Sequence, residues 1–213
     1  MAIKKRLKFV ITAGPTREFI DPVRFLSNPS TGKMGFAIAQ AAAARGHDCV
    51  LIAGPVTLKT PRGVRRLDVV SARDMFKATA TEATGPDTVF IAVAAVADWR
   101  PKRRAANKLK KNEMSGILEL TRNPDILKSI KGVKKIGFAA ETRNLAKEAM
   151  RKCREKNLEM IVANDVSQKD AGFGTDSNRV IFLKKDGSSE KLPLMSKSSI
   201  AKRIIQFAES LYT

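Results

Sequence analysis

The sequence is short of aromatic residues, of acid and of cysteine. Phe, Trp and Tyr make up 6% of its 213 residues, with a single Trp and a single Tyr, so stacking platforms for unpaired bases are scarce. Asp and Glu number 21 against 40 Lys and Arg, a formal charge of +19. An excess of that size points first to nucleic acid. The basic residues are scattered along the chain, however, and nucleic acid is disfavoured as a partner. Two cysteines, Cys49 and Cys153, cannot make a disulfide framework; each sits in an apolar context and reads as a buried small hydrophobe suited to a reducing cytosol. The one histidine, His47, follows Gly46, and no Cys/His cluster has zinc-ligand spacing. No run of about 18 apolar residues exists, which excludes a membrane-spanning helix. The basic start, Met1 to Arg6, leads into an apolar run of strand length without the cleavage site of a secretory signal. A cytoplasmic protein is expected.

What is present is an alternation of β-branched runs and helical stretches. Strands are predicted at 8–13, 48–53, 64–70, 87–94, 117–121, 134–140 and 158–163, and a C-terminal hairpin at 179–184 and 190–192 around Asp186-Gly187. Helices are predicted at 33–45, ending at Gly46, and at 143–157. Another follows the cap Ser71 with Asp74 three residues on, a short one begins at Asn123-Pro124, and a last one follows the cap Ser196. The order implies an α/β fold: a doubly wound, mainly parallel, Rossmann-like sheet with helices on both faces and a C-terminal β-hairpin. One domain, 1–213, is expected. Ligands of such sheets bind outside the carboxyl ends of the strands, so the loops there are the places to search. The basic stretch 98–113 is long for a connection and suits a lid over substrate.

Familiar phosphate motifs fail. Ser30-Thr31-Gly32-Lys33-Met34-Gly35 has Ser27 where a P-loop has its first glycine, and Met34 where Ser or Thr should follow the lysine. Gly14-Pro15-Thr16-Arg17 is not G-x-G-x-x-G, which weakens a dehydrogenase reading. Gly32 still opens a helix whose free N–H groups favour an anion.

Four blocks in order resemble one family. The first is Thr12-Ala13-Gly14-Pro15-Thr16-Arg17-Glu18, with Asp21-Pro22-Val23-Arg24-Phe25-Leu26-Ser27-Asn28 and residues 30–35. The second is Ala94-Ala95-Val96-Ala97-Asp98-Trp99, with Lys108-Leu109-Lys110-Lys111. The third is Asn123-Pro124-Asp125-Ile126-Leu127. The fourth is Gly137-Phe138-Ala139-Ala140-Glu141-Thr142, with Ala163-Asn164-Asp165-Val166 and Gly172-Phe173-Gly174. Together, over residues 9–183, they resemble the phosphopantothenoylcysteine synthetase domain, in many bacteria the C-terminal half of a bifunctional protein with a flavin-dependent decarboxylase. The chain departs from the family at Pro15, where a second glycine is commoner; proline removes a backbone donor there.

The resemblance implies a ligase. 4′-Phosphopantothenate would be activated by CTP to an acyl-cytidylate with release of pyrophosphate, and cysteine would then take the acyl group and release CMP. It also implies Mg2+, no flavin and no decarboxylase domain in this chain, a separate decarboxylase as a possible partner, and a homodimer. Asn28 and Lys108 match its catalytic positions: an amide that donates without neutralising charge, and a flexible cation. Ala92, Val93 and Ala94 match the backbone lining the base. Asp98 would face a ribose hydroxyl or the metal. Pro124, Asp125, Ile126 and Leu127 match a nucleotide-contacting turn, and Phe138 an aromatic at that site. Lys108 serves nucleotide binding as well. Lys152 and Lys156, four apart on one helical face, would on that match lean toward the triphosphate. Arg24 is a weaker match for the substrate phosphate, placed a helical turn before Asn28 if that loop coils. By their own pattern these residues also read as turn, core or solvated positions. The same ligase using ATP is the runner-up, and a basic nucleic-acid-binding module the alternative of another class.

Overall fold

A computed structural model describes residues 5–113, 116–141, 145–165 and 174–213. In chain order its strands are β1 (Lys8–Ala13), β2 (Arg17–Phe19), β3 (Phe25–Ser27), β4 (Asp48–Ala53), β5 (Arg65–Asp68), β6 (Thr88–Ala92) and β7 (Trp99–Pro101), followed by β8 (Leu120–Arg122), β9 (Lys134–Glu141), β10 (Met160–Asp165), β11 (Ser177–Asn178), β12 (Val180–Lys184), β13 (Ser189–Lys191) and β14 (Met195–Ser196). Its helices are α1 (Lys33–Ala44), α2 (Ala72–Glu82), α3 (Ile126–Ser129), α4 (Leu145–Glu155) and α5 (Lys197–Ser210).

Eight strands form one sheet in the order β13-β12-β10-β9-β6-β1-β4-β5. From β10 to β5 every pairing is parallel, and β12 and β13 add the expected antiparallel hairpin at the edge. The chain first builds outward from β1 through β4 to β5, then crosses back to lay down β6, β9 and β10 on the other side. That reversal puts a topological switch point between β1 and β6.

Alternation within strands divides the core. Phe9, Ile11 and Leu51 face α1 and α5, while Val10, Val50, Ile52 and Phe90 face α2 and α3. α4 covers the β9–β10–β12 end through Ala149 and Cys153. Both faces are covered, as the near-continuous apolar runs require. On the α1 face, a Cβ built on Gly35 would stand 2.5 Å from the Ala13 Cβ. Only glycine lets α1 lie so close to β1. At the helix ends, Ser71 and Asp74 form a capping box, and Ser196 accepts from the Ser199 amide at 3.1 Å. Glu209 of α5 is buried against Arg45 (2.7 Å) and His47 (2.9 Å), and the His47 Nδ1 accepts from the Leu7 amide. This cluster fastens the C-terminal helix to the entry of β1.

Several boundaries differ from expectation. The strand expected at 87–94 stops at Ala92, because the Thr12 hydroxyl takes the next two amides. The third strand is only Arg65–Asp68. α3 is capped by Asp125, whose carboxylate accepts from the Lys128 amide at 3.0 Å, and Asn123-Pro124 lies before the helix. Chain ahead of Asn28 does not coil: β2 and β3 pair as a hairpin with Arg17 opposite Ser27. A second small hairpin, β7 with β8, packs near β2. The expected helix start at Arg143 lies outside the described residues, as do Thr142, Val166, Gly172 and Phe173.

Candidate functional site

The sheet's carboxyl edge is shaped by β1 reaching past its own end. The Thr12 Oγ1 accepts from the Val93 and Ala94 amides (3.2 and 3.3 Å), Ala95 N–H donates to the Gly14 carbonyl (2.9 Å), and Ala97 N–H donates to the Thr16 Oγ1 (3.1 Å). The segment after β6 is thereby held flat along the switch point. Gly54, after β4, permits this: a Cβ there would stand 1.7 Å from the Pro15 carbonyl oxygen.

Two clefts open on either side of that segment. One, of about 500 Å³, lies between Ala92, Ala94 and the turn Pro124 to Leu127, with Trp99 and Arg122 at its mouth. The other, of about 380 Å³, lies over Gly14, Asn28 and the start of α1, and reaches Lys152, Asn164 and Lys197. Ala94, Val96, Asp98 and Phe138 line both, so the clefts share a wall.

Most of the expected site residues converge here. Ala92, Ala94, Asp98, Pro124, Asp125, Ile126, Leu127, Phe138 and Lys156 line the first cleft. Asn28, Val93 and Lys152 line the second. Lys152 and Lys156 are thus divided between the clefts rather than set side by side. Lys156 is paired with Asp125 at 3.0 Å. Burial alone would raise the Asp125 carboxyl, but the Lys128 amide and the Lys156 ammonium together hold it below the usual value. The turn therefore presents a capped helix start and a carboxylate beside the amides of Ile126 and Leu127, for which Asp125 does not serve as acceptor. Asn28 spends one amide N–H on the Ala95 carbonyl (3.1 Å) and has a second to offer. Among the described residues the Asp98 carboxylate takes no hydrogen bond or ion pair.

Two expected residues line neither cleft. Arg24 is clamped to the buried Asp21, with Nε and Nη2 at 3.0 and 2.6 Å, and donates to the Leu109 carbonyl. The Arg24 guanidinium, with the amides of Arg24, Val23 and Leu109, overrides burial and holds the Asp21 carboxyl well below the usual range. Lys108 is exposed, one residue before Leu109, whose amide also donates to Asp21. The loop bearing Lys108 is in this way tied to the β2–β3 hairpin, and Ala105 N–H donates to Ile20 as well.

Sequence reasoning missed several contributors. Lys135 is buried in β9 and donates to the carbonyls of Leu127 and Lys156, fastening the turn to the end of α4; burial, then Lys131, lowers its pKa. Asn123 donates to the Ala97 carbonyl at 2.8 Å, joining the β8 end to the shared wall. Lys33 reaches Asp176 (2.7 Å) and the Gly174 carbonyl across the second cleft. Asn164 belonged to a quoted block and stands near the carboxyl end of β10, which was a usable signal. Asn178 and Lys197 gave none.

Fold and site define a Rossmann-like α/β protein with two clefts that share a wall at its switch point. The chain belongs to the DNA/pantothenate metabolism flavoprotein C-terminal domain family, which matches residues 4–211. It is 48% identical over 202 residues to the coenzyme A biosynthesis bifunctional protein CoaBC of Bacillus subtilis, covering 92% of this chain and 50% of that protein. To the protein of the same name from Escherichia coli K12 it is 44% identical over 209 residues, 94% of this chain and 51% of that one. The crystal structure of the C-terminal domain of a coenzyme A biosynthesis bifunctional protein CoaBC superposes with a TM-score of 0.82 at 40% identity, covering 99% of this chain and 97% of that one. The chain spans about half the length of the curated relatives it matches.

Proposed function

We propose that the chain is a phosphopantothenate–cysteine ligase of coenzyme A biosynthesis. The observation that carries this reading is the wall shared by the two clefts, at which a nucleotide on one side and an acid on the other can meet. The relatives' involvement in coenzyme A biosynthesis agrees with it. A carboxylate oxygen of 4′-phosphopantothenate attacks the α-phosphorus of CTP, and pyrophosphate leaves. The cysteine amine then attacks the acyl carbon of the acyl-cytidylate, an amide forms, and CMP departs.

The first cleft takes the nucleotide. Thr12 already occupies the amides of Val93 and Ala94, so the backbone there offers carbonyls, which accept from the amino group of a base. Cytosine and adenine both carry one; CTP is preferred on the resemblance of residues 27–35 to the bacterial type, and ATP is the alternative. Phe138 forms part of the wall, and Asn123 and Lys135 hold the opposite turn. Asn28 offers its second N–H to the acyl or phosphoryl oxygen, a donor placed where charge develops. Asp98, with its carboxylate at the junction, fits a magnesium ion held otherwise by phosphate oxygens. Bound magnesium would share the charge of the triphosphate.

Lys108 neutralises the acyl-nucleotide after its loop moves or from a partner subunit. A homodimer fits the exposed apolar side chains of the two hairpins, among them Val23, Phe25, Trp99 and Leu120. The relatives are single bifunctional chains, which favours a fused over a separate decarboxylase activity. No described helix is long and apolar enough to cross a membrane, consistent with the cytoplasmic placement proposed for this enzyme.

The test is to incubate the protein with 4′-phosphopantothenate, magnesium and CTP or ATP, without cysteine. Pyrophosphate and an acyl-cytidylate identified by mass spectrometry are expected with CTP. Absence of both nucleotide adducts overturns the assignment.

A further inference from the structure

The inner corner of the second cleft holds three buried polar side chains: Asn164, Asn178 and Lys197, with 8%, 4% and 6% of their surface exposed. Asn164 stands near the carboxyl end of β10, opposite Val180 of β12. Its Oδ1 is buried and receives no hydrogen bond. The neighbouring groups do not serve it. Asn178 gives its own Oδ1 to the Arg179 amide at 2.9 Å, and the Lys197 ammonium donates to the Thr175 carbonyl. A buried acceptor without a donor costs stability, and a ligand that brings an N–H or O–H repays it.

The chemistry of the corner narrows that ligand. Phosphate at neutral pH carries oxygens that are chiefly acceptors, so a triphosphate suits the nearby lysines but leaves Asn164 unserved. An α-amino acid carries an amine donor and a carboxylate on the same carbon, which matches a lone acceptor and a held cation lining one corner.

We propose that this corner is the amino-acid subsite of the ligase, with the Asn164 Oδ1 accepting an N–H of the cysteine amine and the Lys197 ammonium facing its carboxylate. The proposal rests on the ligase reading above. The amine would be held in the cleft that Asn28 lines, with its lone pair directed toward the shared wall. There the C–N bond forms, the bond from the acyl carbon to the CMP oxygen breaks, and the amine gives one proton to water.

The test is steady-state kinetics of wild type, Asn164→Ala and Lys197→Met, with cysteine and with cysteamine, which lacks the carboxylate. Asn164→Ala should raise KM for cysteine by about tenfold or more, the loss expected from one hydrogen bond, and move KM for CTP and phosphopantothenate less than about twofold. Lys197→Met should erase the preference for cysteine over cysteamine. Should Asn164→Ala leave KM for cysteine unchanged and instead slow pyrophosphate release, the acceptor serves a hydroxyl of a first-step substrate and the proposal is overturned. If Lys197→Met fails to fold, the Asn164 result still decides. A wild type that releases no pyrophosphate sinks the ligase reading itself, an outcome visible before any variant is made.

Discussion

The strand tips and the two small hairpins beside them are built on different principles. At the tips, position is set by core packing: Gly35 against Ala13, Gly54 under Pro15, and Thr12 closing on Val93 and Ala94. At the β2–β3 hairpin and the loop bearing Lys108, position is set by one buried charge, Asp21, which gathers Val23, Arg24 and Leu109 around itself, while apolar side chains of both hairpins stay in solvent. The lesson is that residues on the tips hold their place within one chain, whereas Lys108, on the hairpin side, would have to be delivered to the clefts to play its proposed role.

That contrast breaks down first at its functional ends. Asn28→Ala and Lys108→Ala should each lower product formation by about 100-fold or more, with unchanged melting temperature, as read by mass spectrometry of the product. Mixing the two inactive proteins sharpens the point: recovery of activity means that Lys108 serves the partner's cleft, and no recovery means that it serves its own. Next, Ile117→Lys, at a side chain 81% exposed beside β8, should shift the proposed dimer toward monomer in sedimentation runs while leaving circular dichroism intact. On the tip side, Gly35→Ala forces α1 away from β1 and should cost about 1–3 kcal/mol of unfolding free energy in denaturant titration.

Asp21→Asn tests the hairpin anchor by pH. The folded carboxyl lies below its unfolded value of about 3.9, so its stabilising effect is complete above that pH and fades as the pH falls toward the folded value. Wild type should lose part of its melting temperature below about pH 4, and the variant should start several degrees lower and lose less there. The smallest effect is expected at the cysteines. Burial pushes the Cys49 thiol up to about 12 and raises Cys153. Neither should be alkylated by iodoacetamide at pH 8, so thiol labelling reports only on substrate.

Much of the tip region was legible and little of the hairpins. Residues 8–13 and 48–53 are apolar runs bounded by glycine turns, and they form strands over those same residues. The Ser71–Asp74 and Ser196 caps were readable because capping is local chemistry. Reading failed where a side chain overrode a backbone pattern. Val93 and Ala94 continue an apolar run, yet Thr12, some 80 residues earlier, removes their amides from the ladder. Asn123-Pro124 has the form of a helix start, but Asn123 is engaged by Ala97 and Arg100, and Asp125 caps instead. Three-residue strands such as β2 and β7 carry no period to detect. For the site, resemblance supplied Asn28 and the turn Pro124 to Leu127. The corner of Asn164, Asn178 and Lys197 is assembled from the end of β10, the separate β11–β14 ribbon and the start of α5, which no local spacing announces.

The partition formed by Ala94, Val96, Asp98 and Phe138 bears on inhibitor design. A linear molecule that threads past Asp98 and fills the space on both sides would gain from tethering, because its second end binds at the high local concentration set by its first. Its selectivity would then depend on tether length, and, on the proposed reading, enzymes offering only a nucleotide slot could hold no more than half of it.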